Sequence, residues 1–147
     1  MLGQFNIARA LYPLDDRRMR DFTHNVGRIN GLAERSPGFV WRLEDEEAPE
    51  APDLSDDPLM TWTLSVWRDL DSIRHFTWNT LHKRFRLRRG EWFEPLGRPY
   101  LAIWPIADDH RPDGAEALAM LDKLTREGPS DAVFGTEALA PMEGVTP

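Results

Sequence analysis

The stretch LMTWTLSVW, Leu59 to Trp67, alternates strictly, with Met60, Trp62, Leu64 and Val66 on one side and Thr61, Thr63, Ser65 and Trp67 on the other. A period of two in a run rich in branched and aromatic residues is a β-strand, and one apolar side marks a buried face. Upstream, FVWRL at Phe39 to Leu43 has strand composition, and alternation puts Trp41 on the face of Phe39 and Leu43. Further upstream, QFNIARALY at Gln4 to Tyr12 sets Phe5, Ile7 and Leu11 together before Pro13 removes a backbone donor. Downstream, Tyr100 to Ile106 is the fourth strand, with Leu101 and Ile103 opposing Ala102, Trp104 and Ile106.

Between these strands the period lengthens. Asp15 and Asp16 open a helix whose Met19, Phe22, Val26, Ile29 and Ala33 recur at three and four residues, and Ser36, Pro37 and Gly38 stop it. A second helical region runs from Asp69 to about Phe93, striped by Leu70, Ile73, Leu81, Phe85 and Trp92 and bent near Gly90. A third runs from Asp113 to Arg126 with Ala117, Leu118, Leu121 and Leu124, ended by Gly128 and Pro129. The order βαββαβ with an added C-terminal helix predicts a ferredoxin-like α+β fold, one domain over residues 1–134. Phe134 adds a short edge segment, residues 45–58 form a mobile acidic, proline-rich loop, and residues 135–147 are a flexible tail. Both sheet faces are apolar while the expected helices form one layer, so a second copy is expected over the other face, making a dimeric α+β barrel.

A chain of 147 residues fits one domain. It has no cysteine, which excludes disulfides, thiolate metal sites and cysteine catalysis. The formal charge of -7 is concentrated in the loop: Glu44 to Asp57 holds eight acids and no base. The rest is close to neutral and no extended basic surface forms, so nucleic acid is not an expected partner. No stretch approaches the ~20 apolar residues that cross a bilayer and no leader pattern opens the chain; a cytoplasmic, non-membrane protein is expected.

The chemistry concentrates in HFTWNTLHKRFRLRRGEWF, His75 to Phe93. On one continuous helix His75, Trp78, His82, Arg86 and Arg89 share a sector about 80° wide. Imidazole, indole and guanidinium beside an apolar stripe would line a pocket, with His82 as acid or base and Arg86 or Arg89 holding an anion. The same residues also suit a helix surface on which long arginines cover apolar area with solvated heads. Asn30 projects on the apolar stripe of the first helix, where its amide needs a partner, either a ligand or its own scaffold. The four histidines lack metal-ligand spacing, and no phosphate-binding glycine loop or nucleophile elbow occurs. The six tryptophans suit core and pocket walls.

FNIARALYPLDD at Phe5, INGLAERSPGFVWRL at Ile29, SVW at Ser65, HKRFRLRRGEWFEPL at His82, LAIWPI at Leu101 and HRPDGAEALAMLDKL at His110 together resemble a family catalogued as domain of unknown function 3291. The resemblance covers roughly residues 4–128, with the acidic loop and the tail individual to this chain. It implies membership of the dimeric α+β barrel superfamily that includes antibiotic-biosynthesis monooxygenases, but it brings no catalytic residues with it. Fold alone does not select among that superfamily's activities. Three expectations follow. The first is a small biosynthetic or detoxifying enzyme, of monooxygenase, cyclase or isomerase type and without a cofactor, acting on a flat, partly anionic, aromatic molecule. Its site would use His82, Arg86 and Arg89 for chemistry, with Asn30, Trp41, Trp62, Trp78, Trp92 and Trp104 for substrate binding. The second is haem binding through His82 or His75, with an arginine on a propionate. The third is a non-catalytic small-molecule-binding dimer.

Overall fold

The computed structural model describes residues 1–44, 49–54, 56–79 and 82–139, with the side chains of Asn79 and His82 outside that description. The chain runs β1 (Leu2–Ala10), α1 (Arg20–Glu34), β2 (Phe39–Arg42), β3 (Met60–Trp67), α2 (Leu70–Asn79), α3 (His82–Leu87), β4 (Phe93–Glu94), β5 (Leu101–Pro105) and α4 (Gly114–Glu127). All strand pairings are antiparallel: β2 with β3, β3 with β1, and β1 on its other edge with both β5 and the short β4. This is a mixed α+β chain of ferredoxin-like order, with β1 at the centre of the sheet.

Register decides which side chains share a face. Phe5 pairs with Leu64 and Ala102, and Ile7 with Trp62. These residues cluster with Leu43, Trp104 and the Ala117, Leu121, Leu124 stripe of α4. The opposite face carries Trp67, Leu101 and Ile103 against Ala33 of α1 and Ile73 and Phe76 of α2. A third cluster, Ala8, Ala10, Met19, Trp92 and Phe93, fills the far end of β1 on the side of Phe22 and Phe85. The molecule therefore has three layers, with α4 on one side of the sheet and α1 to α3 on the other.

That arrangement corrects the expected single helical layer. The face bearing Phe5, Ile7 and Leu64 is covered by α4, and the opposite face by α1 to α3, so helices of this chain lie over both faces. The α4 stripe is the cover rather than an addition, and burying each of its two leucines contributes about 1.5–3 kcal/mol. The Trp41 face also changes. Pairing shifts between Phe39 and Trp41, so Phe39 stays with Trp67 while Trp41 joins Leu43 on the α4 side. A bulge adds one residue to a period of two and reverses every side chain beyond it.

The described part of the acidic loop packs against the body of the fold. Pro52 is buried, Leu54 packs on the α4 cluster, and the Glu50 carbonyl accepts the Gly114 amide at the start of α4. Only glycine fits there, because a Cβ at residue 114 would lie 2.3 Å from the Pro52 nitrogen. Residues 45–48 and 55 of the loop lie outside the described residues. In the expected tail, Thr136–Leu139 forms a 3-10 turn whose Leu139 is buried, and residues 140–147 lie outside the description. Phe134 bridges Ile103, as expected of an edge segment.

The loop's end is tied to β1 by charge. Arg9 Nε donates to Asp57 at 2.7 Å and its Nη1 to Glu94 at 3.0 Å, while the Leu59 amide donates to Asp57 at 3.0 Å. The Arg9 guanidinium first, then the Leu59 amide, holds the Asp57 carboxyl below the usual carboxylate range. A depressed folded-state pKa means that the stabilisation is present above the unfolded value and disappears as pH falls through the folded one. Asp57→Asn is therefore expected to be less stable at neutral pH and to lose less stability between about pH 5 and pH 2. Urea titrations across that range would sink the assignment if both proteins gave the same pH slope.

Candidate functional site

The sheet face beneath α1, α2 and α3 is not filled by side chains. A cavity of about 200 Å³ lies there. Its floor is the inner side of the two central strands, Gln4, Asn6 and Ala8 of β1 beside Thr61 and Thr63 of β3. Phe22, Val26, Ile29 and Asn30 form the α1 wall, Phe76 and Thr77 the α2 wall, and Phe85 and Arg86 the α3 wall. Arg89, Trp92, Phe93 and Tyr100 close one end, and Leu139 contributes from the C-terminal 3-10 turn.

The end of α3 explains why Arg89 turns inward. The Arg88 amide is shared between the Arg84 and Phe85 carbonyls at 3.3 and 3.1 Å, and the chain then tightens into a 3-10 turn over Arg89–Glu91. Such tightening is common where a helix runs out of backbone partners. Arg88 faces outward, paired with Glu91 at 2.8 Å and Asp21 of α1 at 3.1 Å. Its neighbour Arg89 is directed the other way, its guanidinium carbon 4.1 Å from the Tyr100 ring centroid and 5.7 Å from that of Phe93.

Among the described residues no carboxylate pairs with Arg89 or Arg86. Burial lowers the Arg89 pKa from its ordinary value, the nearby Arg86 charge acts the same way, and Tyr100 opposes both. A desolvated cation without a counter-charge is costly, and the cation–π contacts with Tyr100 and Phe93 offset only part of that cost. Asn30 and Gln4 add two amides for which the described residues provide no side-chain hydrogen bond. Other polar groups of the floor and wall have partners within the protein: Thr63 donates to Asn6 Oδ1, Thr61 to the Ala8 carbonyl and Thr77 to the Ile73 carbonyl.

The family described as Domain of unknown function (DUF3291) matches residues 1–146. The chain belongs to this family. No curated protein matches this DUF3291 chain. Among solved structures, the crystal structure of PA3566 from Pseudomonas aeruginosa is similar at a TM-score of 0.48 and 14% identity, over 72% of this chain and 94% of that one.

Of the residues that sequence nominated in this DUF3291 chain, the cavity brings together Asn30, Arg86, Arg89 and Trp92. Trp92 is 2% exposed and stacks on Phe85 with centroids 5.6 Å apart. Trp62 borders the cavity between Thr61 and Thr63, but its ring packs with the α4 cluster on the other face. Trp41 and Trp104 belong wholly to that other face and are not pocket walls. Trp78 stands behind the wall: its indole N–H donates to the Leu139 carbonyl, and Arg86 lies over its ring at 5.5 Å. The predicted stripe fails because it assumes one helix to residue 89, whereas α3 ends at Leu87.

His75 is exposed on α2 and away from the cavity, and the His82 side chain lies outside the described residues. Haem therefore finds no axial histidine among the described lining residues. Among the described residues no group of three His, Asp or Glu side chains is placed to hold a metal ion, and no helix is long and apolar enough to cross a membrane. Sequence reasoning missed Gln4, Asn6, Thr61, Thr63 and Tyr100. The signal was present as a polar alternation in the two central strands beneath a helical layer.

Proposed function

We propose that this protein binds a compact, flat organic anion in the cavity between the sheet and α1 to α3. The observation that carries this reading is the pair Arg86 and Arg89, two cations without carboxylate partners among the described residues, at a cavity walled by Phe22, Phe85 and Trp92. A ligand carboxylate would supply the missing counter-charge in a desolvated setting, where charge-assisted hydrogen bonds are strongest. The aromatic walls suit a ring, and the cavity volume limits the ligand to one or two rings.

The superfamily of antibiotic-biosynthesis monooxygenases expected from the sequence is compatible with the βαββαβ order. Turnover of monooxygenase, cyclase or isomerase type would depend on a proton-transfer group at the wall. Among the described residues the ionisable side chains that line the cavity are Arg86, Arg89 and Tyr100, and of these the Tyr100 hydroxyl is the group suited to proton transfer. A homodimer remains part of the proposal through Trp41, Trp62 and Met60, half-buried at the border of the α4-covered face.

Benzoate tests the anion site. Titrated into the protein, it is expected to change the fluorescence of Trp92 and to raise the thermal midpoint as its concentration rises above Kd. Benzyl alcohol, of the same shape without charge, is expected to do neither at equal concentration. Equal effects of the two compounds would remove the anion site from consideration.

A further inference from the structure

Resting on that reading, the unpaired amides define the ligand further. We infer that the natural ligand is a bipolar aromatic acid, with its carboxylate at Arg86 and Arg89 and a second hydrogen-bonding group, a ring hydroxyl or amide, at Gln4 and Asn30. Gln4 lies in register with Ser65 and Ile103, toward the start of β1. Arg89 stands over Phe93, which is paired with Ala10 at the strand's other end. Asn30 lies one turn before Ala33, a member of the cluster that contains Trp67 and Leu101. The two polar groups of the wall are therefore separated along the strand.

From Gln4 to Ala8 the strand advances about 13 Å. Long side chains reaching inward from both ends shorten that gap toward the length of one substituted ring. Asn6 Oδ1 and the Thr61, Thr63 and Thr77 hydroxyls already have partners within the protein, whereas the side-chain amides of Gln4 and Asn30 form no hydrogen bond among the described residues and are free to meet a ligand. An acid whose far end is purely apolar would displace water from these amides without replacing its hydrogen bonds, and would lose affinity for that reason. Saturated fatty acids are thereby disfavoured, even though their carboxylate would suit the arginines.

Calorimetric titration of benzoate, 3-hydroxybenzoate and 4-hydroxybenzoate against the wild type, Gln4→Leu and Asn30→Leu tests this. The better hydroxybenzoate is expected to bind the wild type about tenfold more tightly than benzoate, a difference of the size a well-made hydrogen bond produces. In the leucine variants the preference is expected to shrink to about twofold or less, because the hydroxybenzoate loses its hydrogen bond and benzoate no longer displaces water from an amide. Gln4 lies in the central strand; if Gln4→Leu does not fold, Asn30→Leu alone carries the comparison. No preference in the wild type, or a full preference retained in the folded variants, overturns the inference. Benzoate binding that depends on Arg89 but shows no hydroxyl preference would sink the bipolar ligand and leave the anion site standing. Failure of all three acids to bind would remove both.

Discussion

Replacing Arg89 by methionine is expected to weaken benzoate binding by between about ten- and a hundredfold, the range for losing a hydrogen bond to a charged group, without lowering the thermal midpoint of the free protein. The second half of this expectation separates a ligand anchor from a structural residue. Arg89 makes no ion pair among the described residues, and burial already disfavours its charge. Its contacts with Tyr100 and Phe93 contribute about 0.5–1 kcal/mol, and methionine retains most of the apolar contact while removing the desolvated cation. A fall in both affinity and midpoint would make Arg89 a packing residue. A fall in affinity alone, seen by calorimetry beside a melting curve, identifies a group held in a costly state for the sake of its ligand.

The largest expected loss of stability lies on the other face. Trp104→Ala is expected to lower the unfolding free energy by about 3–5 kcal/mol, as for other buried tryptophans. The ring is 2% exposed and lies directly over Gly3, where a Cβ would come within 2.8 Å of it. Its indole N–H donates to Glu116 Oε2 at 2.9 Å, which links β5 to α4. Trp104→Phe keeps much of the packing and loses that hydrogen bond, so a smaller loss of about 1–2 kcal/mol is expected. Urea unfolding measures both, and an alanine variant as stable as wild type would refute the role of Trp104 in holding α4 to the sheet. Benzoate affinity in Trp104→Phe should stay within about twofold of wild type, because Trp104 lies on the far side of the sheet from the cavity.

How far the sequence could be read varies from element to element. The Met60 to Trp67 alternation placed β3 and both of its faces correctly, because a period of two leaves no ambiguity in a run that long. The α1 stripe from Met19 to Ala33 was equally legible. Trp41 was misplaced because a bulge leaves no mark in a five-residue strand. The helix after Asp69 was read as one element because its apolar stripe persists through the turn at Arg89, and a projection at 100° per residue holds only while the helix lasts. Arg86, Arg89 and Asn30 reached the cavity for reasons of local chemistry, as charged or amide groups on an apolar stripe. The floor residues Gln4, Asn6, Thr61 and Thr63 were not nominated, because polar residues alternating along a strand carry no sign of a site by themselves. Only tertiary placement of α1 to α3 over them makes that face an interior.

The wall formed by Leu139 has a bearing on how the protein is made. Floor residues near Gln4 leave the ribosome long before Leu139 does, and the central β1 must wait for β5 before its second edge is paired. A nascent chain halted after β3 would present its polar inner face with one side of the cavity still missing. The proposed ligand would meet its complete wall only in molecules synthesised and folded through the 3-10 turn at Thr136–Leu139, and would stabilise those most.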